Sequence, residues 1–231
     1  MTLHVTEWGT GDRIAVLVHG ITSDATGWSG IGPALADRGY RVLAPDLPGH
    51  GYSPRAERYT LNAAADELAA AVPAEPALAI GHSLGGLLLS MVEGRIRPAR
   101  TVYEDPAWIP AASPEMMAAF RAQKQWTIDD LRAADPGWPE ARYEDELARL
   151  ARWDETMTDS LTGMGFEPDE PKRPALLLAV ERDALIDPDH AESLRTKGFT
   201  VRTLAGVGHS AHRDDPAGFL AAIDAWLAAT P

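Results

Sequence analysis

The 231 residues predict a doubly wound α/β fold, with a mostly parallel sheet and a small helical cap inserted before the last two strands. Three observations carry that prediction. Short apolar runs alternate with helical stretches over most of the chain, the pattern of parallel strands with right-handed crossovers. The runs are continuous rather than alternating in polarity, as in strands buried on both faces. The rhythm then breaks once, between Asp105 and Lys172, in a stretch rich in Ala, Glu and Arg and broken by prolines.

The elements follow in chain order. Residues 3–8 predict an antiparallel edge strand. Ile14 to Val18, Arg41 to Ala44 and Ala77 to Ile80 are buried strands, with a helix from Ala63 to Ala71 before the third. A helix from Leu84 to Glu93 follows, then a strand from Thr101 to Glu104. Short helices with turns fill the interruption. Strands resume at Ala175 to Val180 and Thr200 to Leu204, and Pro216 to Leu227 is the final helix. The expected organisation is a core of residues 1–105 and 173–231, with residues 106–172 as the cap.

Composition bounds the function. Hydrophobic residues make up 45% and charged residues 24%, an ordinary globular balance that excludes a disordered chain. Lys and Arg number 21 against 34 Asp and Glu, a net charge of −13. Such a chain repels phosphate backbones and anionic lipid, so neither nucleic acid nor a membrane is an expected partner. There is no cysteine, which removes disulfides, thiolate metal sites and a cysteine nucleophile. Residues Met1 to Glu7 lack the basic and apolar regions of a signal peptide, and no apolar run approaches a membrane span. A cytoplasmic location is the expectation.

The sharpest chemical signal is Gly81-His82-Ser83-Leu84-Gly85. It stands where a buried strand ends and a helix begins. A serine on so tight a turn is held exposed above the sheet, with a helix N-terminus beneath it. A hydroxyl is a weak nucleophile and needs a base, which needs an orienting acid. No HExxH, GxGxxG or GxxxxGK[ST] pattern occurs, so no metal or other cofactor is implied.

With these residues in view, the chain resembles the α/β-hydrolase fold superfamily, in its serine-nucleophile, capped form. Gly81 to Gly85 resembles the family's nucleophile elbow, Val18-His19-Gly20-Ile21 its oxyanion loop, and Asp46 to Ser53 its Asp-x-x-Gly-x-Gly-x-Ser turn. The resemblance implies Ser83 as nucleophile and the backbone N–H groups of Ile21 and Leu84 as oxyanion hole. It implies His209, in Gly206-Val207-Gly208-His209, as base rather than His212. It implies Asp183, after the strand Ala175 to Val180, as acid. Asp105 is the rival, because some members place the acid after the preceding strand. Glu181 and Asp187 read as solvated loop charges, and His19 and His50 as residues that hold loops.

The cap contains Trp108, Trp126, Trp138 and Trp153, and Met116, Met117, Met157 and Met164. With Trp28 these tryptophans are the candidate walls of an apolar substrate pocket. The competing reading is that a small helical cap needs them for its own core. The expected activity is cleavage of a carboxylic ester or lactone of a small hydrophobic molecule. Carbon–carbon bond hydrolases, thioesterases, perhydrolases, lyases and slow-hydrolysing receptors resemble the chain equally in these motifs.

Overall fold

The computed structural model describes residues 2–108 and 112–230. Seven strands form one sheet: β1 (Val5–Trp8), β2 (Arg13–Val18), β3 (Tyr40–Pro45), β4 (Leu78–His82), β5 (Thr101–Glu104), β6 (Ala175–Val180) and β7 (Thr200–Leu204). Their order across the sheet is β1-β3-β2-β4-β5-β6-β7. Only β1 runs antiparallel, pairing Val5 with Pro45 at the edge. The others are parallel, so their C-terminal ends share one rim.

Side-chain alternation along each strand divides the core in two. Val16, Val18, Ala79, Tyr103 and Leu177 face one side, and Ala15, Leu17, Ile80, Val102, Leu176 and Leu178 the other. Helices cover both faces, which is why the strands read as unbroken apolar runs. They are α1 (Gly32–Ala36), α2 (Leu61–Ala71) and α3 (Leu84–Ile96), then α4 (Pro114–Ala122), α5 (Ile128–Ala134) and α6 (Glu140–Arg152), and finally α7 (Pro188–Thr196), α8 (Ala211–Asp214) and α9 (Pro216–Ala229). In α3, Leu84, Leu87, Leu88, Leu89, Val92 and Ile96 are all buried. Each such side chain contributes about 1.5–3 kcal/mol relative to exposure, which fixes the helix behind the elbow.

Between β5 and β6 the chain is helical. Ser113 caps α4 by accepting from Met116 N–H, and Thr127 and Asp130 form a reciprocal capping box on α5. Helix α6 is bound to the sheet domain by polar contacts. Arg152 forks onto Asp24 (2.6 and 2.8 Å), Arg142 pairs with Asp214 (2.7 Å), and Arg213 pairs with Glu146 (2.5 Å). Beyond α6, Asp154 N–H donates to Gly49 O (2.7 Å), and Trp153 stacks on His50. Among the described residues no helix is long and apolar enough to cross a membrane.

Candidate active site

Strand β4 ends at His82, α3 starts at Leu84, and Ser83 between them has φ 52° and ψ −120°. Flanking glycines make that turn possible. A Cβ on Gly85 would lie 2.2 Å from Val18 O, and one on Gly81 2.7 Å from Gly85 O. Both are backbone collisions that no rotamer relieves. Leu84 is the first residue of its helix, where N–H groups have no intrahelical acceptor.

The loop after β2 presses on the serine. A Cβ on Gly20 would lie 2.9 Å from His82 Nδ1 and 3.2 Å from Ser83 Cβ. Two buried histidines hold this loop. Leu47 N–H donates to His19 Nε2 (3.0 Å), so the His19 proton sits on Nδ1 and is donated to Gly20 O (2.8 Å). That carbonyl belongs to the same peptide unit as Ile21 N–H, and a hydrogen bond to one end polarises the other. His50 Nε2 meets Ile21 O at 2.5 Å, and burial pushes His50 down to about 4, so it is neutral near pH 7.

His209 packs against His82 of the elbow, ring centroids 4.6 Å apart. Its Nδ1 lies 2.6 Å from Asp105 Oδ2. Asp105 follows β5 directly, has φ 34° and is fully buried. Its carboxylate also accepts from Leu185 N–H (3.0 and 3.1 Å) and Ile186 N–H (3.0 Å). Three N–H groups thus converge on this carboxylate, an acceptor that fixes the proton of His209 on Nδ1. Asp183, expected to meet His209, does not do so. It is exposed, at φ 53° in a loop that offers Asp105 its backbone N–H groups instead. Glu181 and Asp187 bond locally, to Gly206 N–H and His190 N–H.

Beneath His209 lies a buried cluster that the sequence did not single out. His82 Nε2–H donates to His209 O (2.8 Å). Glu104, fully buried, accepts from His212 N–H (2.8 Å) and lies 2.7 Å from His212 Nδ1. Burial raises Glu104 to about 8 and pushes His82 and His212 well below their usual range. All three are uncharged near neutral pH. A carboxylate abutting another acid at a strand's C-terminal end, Glu104-Asp105, was the available signal.

A cavity opens at Ser83. This slot has an empty volume of about 520 Å³, its open mouth included. The sheet domain lines it with Ile21, Leu61, Leu84, Leu87 and Leu185, and the helical segment with Met116, Met117, Phe120, Leu161, Met164 and Phe166. Among the described residues, the lining side chains apart from Ser83 are apolar. None of the five tryptophans expected there is among them. Trp28 stacks on His212 (4.2 Å) on the opposite side of the sheet. Trp108 donates to Ser90 Oγ and packs on Tyr103. Trp126 leans on the core, Trp138 lies under the Arg142 guanidinium (3.7 Å), and Trp153 is wedged against His50. The indoles serve packing, Trp138 within the helical segment and Trp108 and Trp153 between it and the sheet domain. Met116, Met117 and Phe120, on one face of α4 by their spacing, were the readable sign of the slot. Among the described residues no cluster of His, Asp or Glu is arranged to hold a metal ion.

A parallel sheet with a strained serine at strand end, a glycine-bearing loop pressed on it, and a histidine–carboxylate pair on the same rim define a class, the α/β hydrolases. The chain belongs to the alpha/beta hydrolase family, whose model matches residues 15–222. It is similar to the pimeloyl-(acyl-carrier protein) methyl ester esterase of Aeromonas hydrophila subsp. hydrophila, at 35% identity over 169 residues. That match covers 66% of this chain and 65% of the esterase, so the chain spans just under two thirds of that relative's length. The enzyme of the same name from Methylococcus capsulatus is 31% identical, over 78% of this chain and 70% of its own. In structure the chain is similar to a thermophilic esterase from Thermogutta terrifontis, with a TM-score of 0.74 and 25% identity over 97% of this chain and 92% of that one.

Proposed function

We propose that the protein is a serine esterase that cleaves a carboxylic ester or lactone with a slender apolar acyl or ring group. The observation that carries this reading is the Asp105–His209 contact of 2.6 Å beside the Ser83 elbow. Asp105 keeps the proton of His209 on Nδ1, which leaves Nε2 free to accept. Ser83 Oγ attacks the ester carbonyl carbon as its proton passes to His209 Nε2. The oxyanion that forms is met by the N–H groups of Ile21 and Leu84, worth about 2.7–4 kcal/mol for one such donor. The alcohol leaves with the proton from His209. Water then repeats the sequence on the acyl-enzyme and frees the acid.

In this reading Asp105, not Asp183, is the acid, and the tryptophans serve packing rather than touch substrate, with Trp108 and Trp153 joining the helical segment to the sheet domain. The two relatives' names as methyl ester esterases support an ester, and the apolar slot at Ser83 supports a hydrophobic acyl group. The test is a panel of p-nitrophenyl esters of rising chain length, with lactones, and Ser83→Ala as the blank. Turnover that falls by several orders of magnitude in Ser83→Ala, with one phosphonate adduct on Ser83 in the parent, is the expected result. Substantial turnover by the variant, or an adduct on another residue, refutes it.

A further inference from the structure

We propose that Arg142 and Glu146 of α6 are positioning residues for His209, reaching both of its chain neighbours from the helical segment. The inference rests on His209 being the base.

The geometry is a two-sided clamp. On one side, Arg142 Nη2 donates to Asp214 Oδ1 (2.7 Å) and Nη1 to Arg213 O (2.8 Å). Asp214 Oδ2 accepts the N–H of Gly208 (2.9 Å), the residue before His209. On the other side, Glu146 Oε2 accepts from Arg213 Nη1 (2.5 Å), and Arg213 Nη2 donates to Ser210 Oγ (2.8 Å). Ser210 is the residue after His209. Arg149, one turn along α6, forks onto the same Glu146 oxygen (2.7 and 3.2 Å) and holds that carboxylate in place.

These contacts are sheltered. Arg142 and Asp214 are 15% and 16% exposed, and Arg213 and Glu146 13% and 9%. Burial alone would raise the Asp214 and Glu146 carboxyls, yet Arg142 and Gly208 hold Asp214 low, and Arg213 and Arg149 hold Glu146 low. Both links are therefore charged and directional. Trp138 beneath the Arg142 guanidinium restricts its rotamer further.

The pair at the end of this chain of contacts is demanding. His209 must keep its 2.6 Å approach to Asp105 while its Nε2 faces the serine. A misplacement of about 1 Å can cost on the order of 100-fold in rate. Neither Arg142 nor Glu146 lines the slot, whose wall on the helical side comes from α4 and from Leu161, Met164 and Phe166. The clamp should thus act on kcat and leave KM nearly unchanged.

The test measures Arg142→Ala, Arg142→Lys, Glu146→Ala and Asp214→Asn by kcat, KM, thermal melting and the low-field Nδ1 proton resonance of His209, beside His209→Ala by kcat and melting. Glu146→Ala should lower kcat with KM nearly unchanged. Arg142→Ala should lower kcat about 10- to 100-fold with KM within about threefold, and shift or broaden that resonance. Arg142→Lys, which keeps a donor for Asp214, should recover part of the loss. If Arg142→Ala does not fold, Asp214→Asn is judged by the same criteria. A kcat within twofold of the parent, or a loss that disappears on cooling below the variant's melting range with the resonance unmoved, overturns the clamp. His209→Ala separates the two ideas: if it stays active, the base assignment falls and the clamp with it. If it is dead while Arg142→Ala, Glu146→Ala and Asp214→Asn turn over normally, the clamp alone falls.

Discussion

Replacing Asp105 by Asn is the most informative single change. The carboxylate accepts from two directions. Oδ1 takes the N–H groups of Leu185 and Ile186, and Oδ2 takes His209 Nδ1–H and a second contact from Leu185. An amide offers one acceptor and one donor. Placed with its oxygen toward Leu185 and Ile186, the amide of the Asp105→Asn variant keeps those bonds and the fold. Its NH₂ then faces His209 Nδ1, which must accept, so the imidazole proton moves to Nε2. The base is now protonated at the atom that should take the serine proton, and the developing imidazolium has lost its counter-charge. The corresponding loss can reach about 10⁴ in kcat, about 5.5 kcal/mol at 1.36 kcal/mol per tenfold. Asp183→Asn, at an exposed loop position, should stay within about twofold. The assay is kcat/KM on a short p-nitrophenyl ester for both variants, with melting curves to confirm folding. Near-normal turnover in Asp105→Asn with a crippled Asp183→Asn would refute the assignment.

Two further outcomes follow from the geometry. Phe120→Ala should lengthen the slot and move the optimum toward longer acyl chains, each newly buried CH₂ adding up to about 0.8 kcal/mol, roughly fourfold in kcat/KM; an unchanged chain-length profile would remove Phe120 from the binding wall. Glu104→Gln should remove a pH-dependent destabilisation: the folded state holds the Glu104 proton to about pH 8 while an unfolded glutamate releases it near 4.5, so stability is lost as pH rises through that window. The variant should gain on the parent by up to about 3 kcal/mol between pH 6 and 8 at 1.36 kcal/mol per pH unit, read from urea melts; parallel stability curves would show that Glu104 is ionised throughout.

The sheet was legible because its signals are local. Leu176, Leu177 and Leu178 read as a strand buried on both faces, and the glycines around Ser83 mark a turn that tolerates no Cβ. Which acid meets His209 was not local. Asp105 and Asp183 both follow strands on the same rim, and both sit in left-handed backbone. The choice depends on which way each loop turns its side chain, a property of packing between β5, β6 and the His209 loop that periodicity does not encode. Which side chains line the slot was not local either. Tryptophans draw attention by size, yet Trp108 and Trp153 are fully buried between segments, while the flexible Met116, Met117 and Phe120 face the opening.

The cavity wall has a consequence for how readily this protein could change its diet. At the elbow, backbone atoms stand where any added side chain would go, so variation there is closed. The slot's outer wall is thioether and phenyl, carried on a segment separate from the sheet. Methionine is unbranched and fills irregular space, and exchanges among such residues usually cost under about 1.5 kcal/mol. Innovation is therefore cheap at Met116, Met117, Phe120 and Met164 and forbidden at Gly81 and Gly85. A combinatorial library confined to the first group would sample new substrates with the reaction itself held constant.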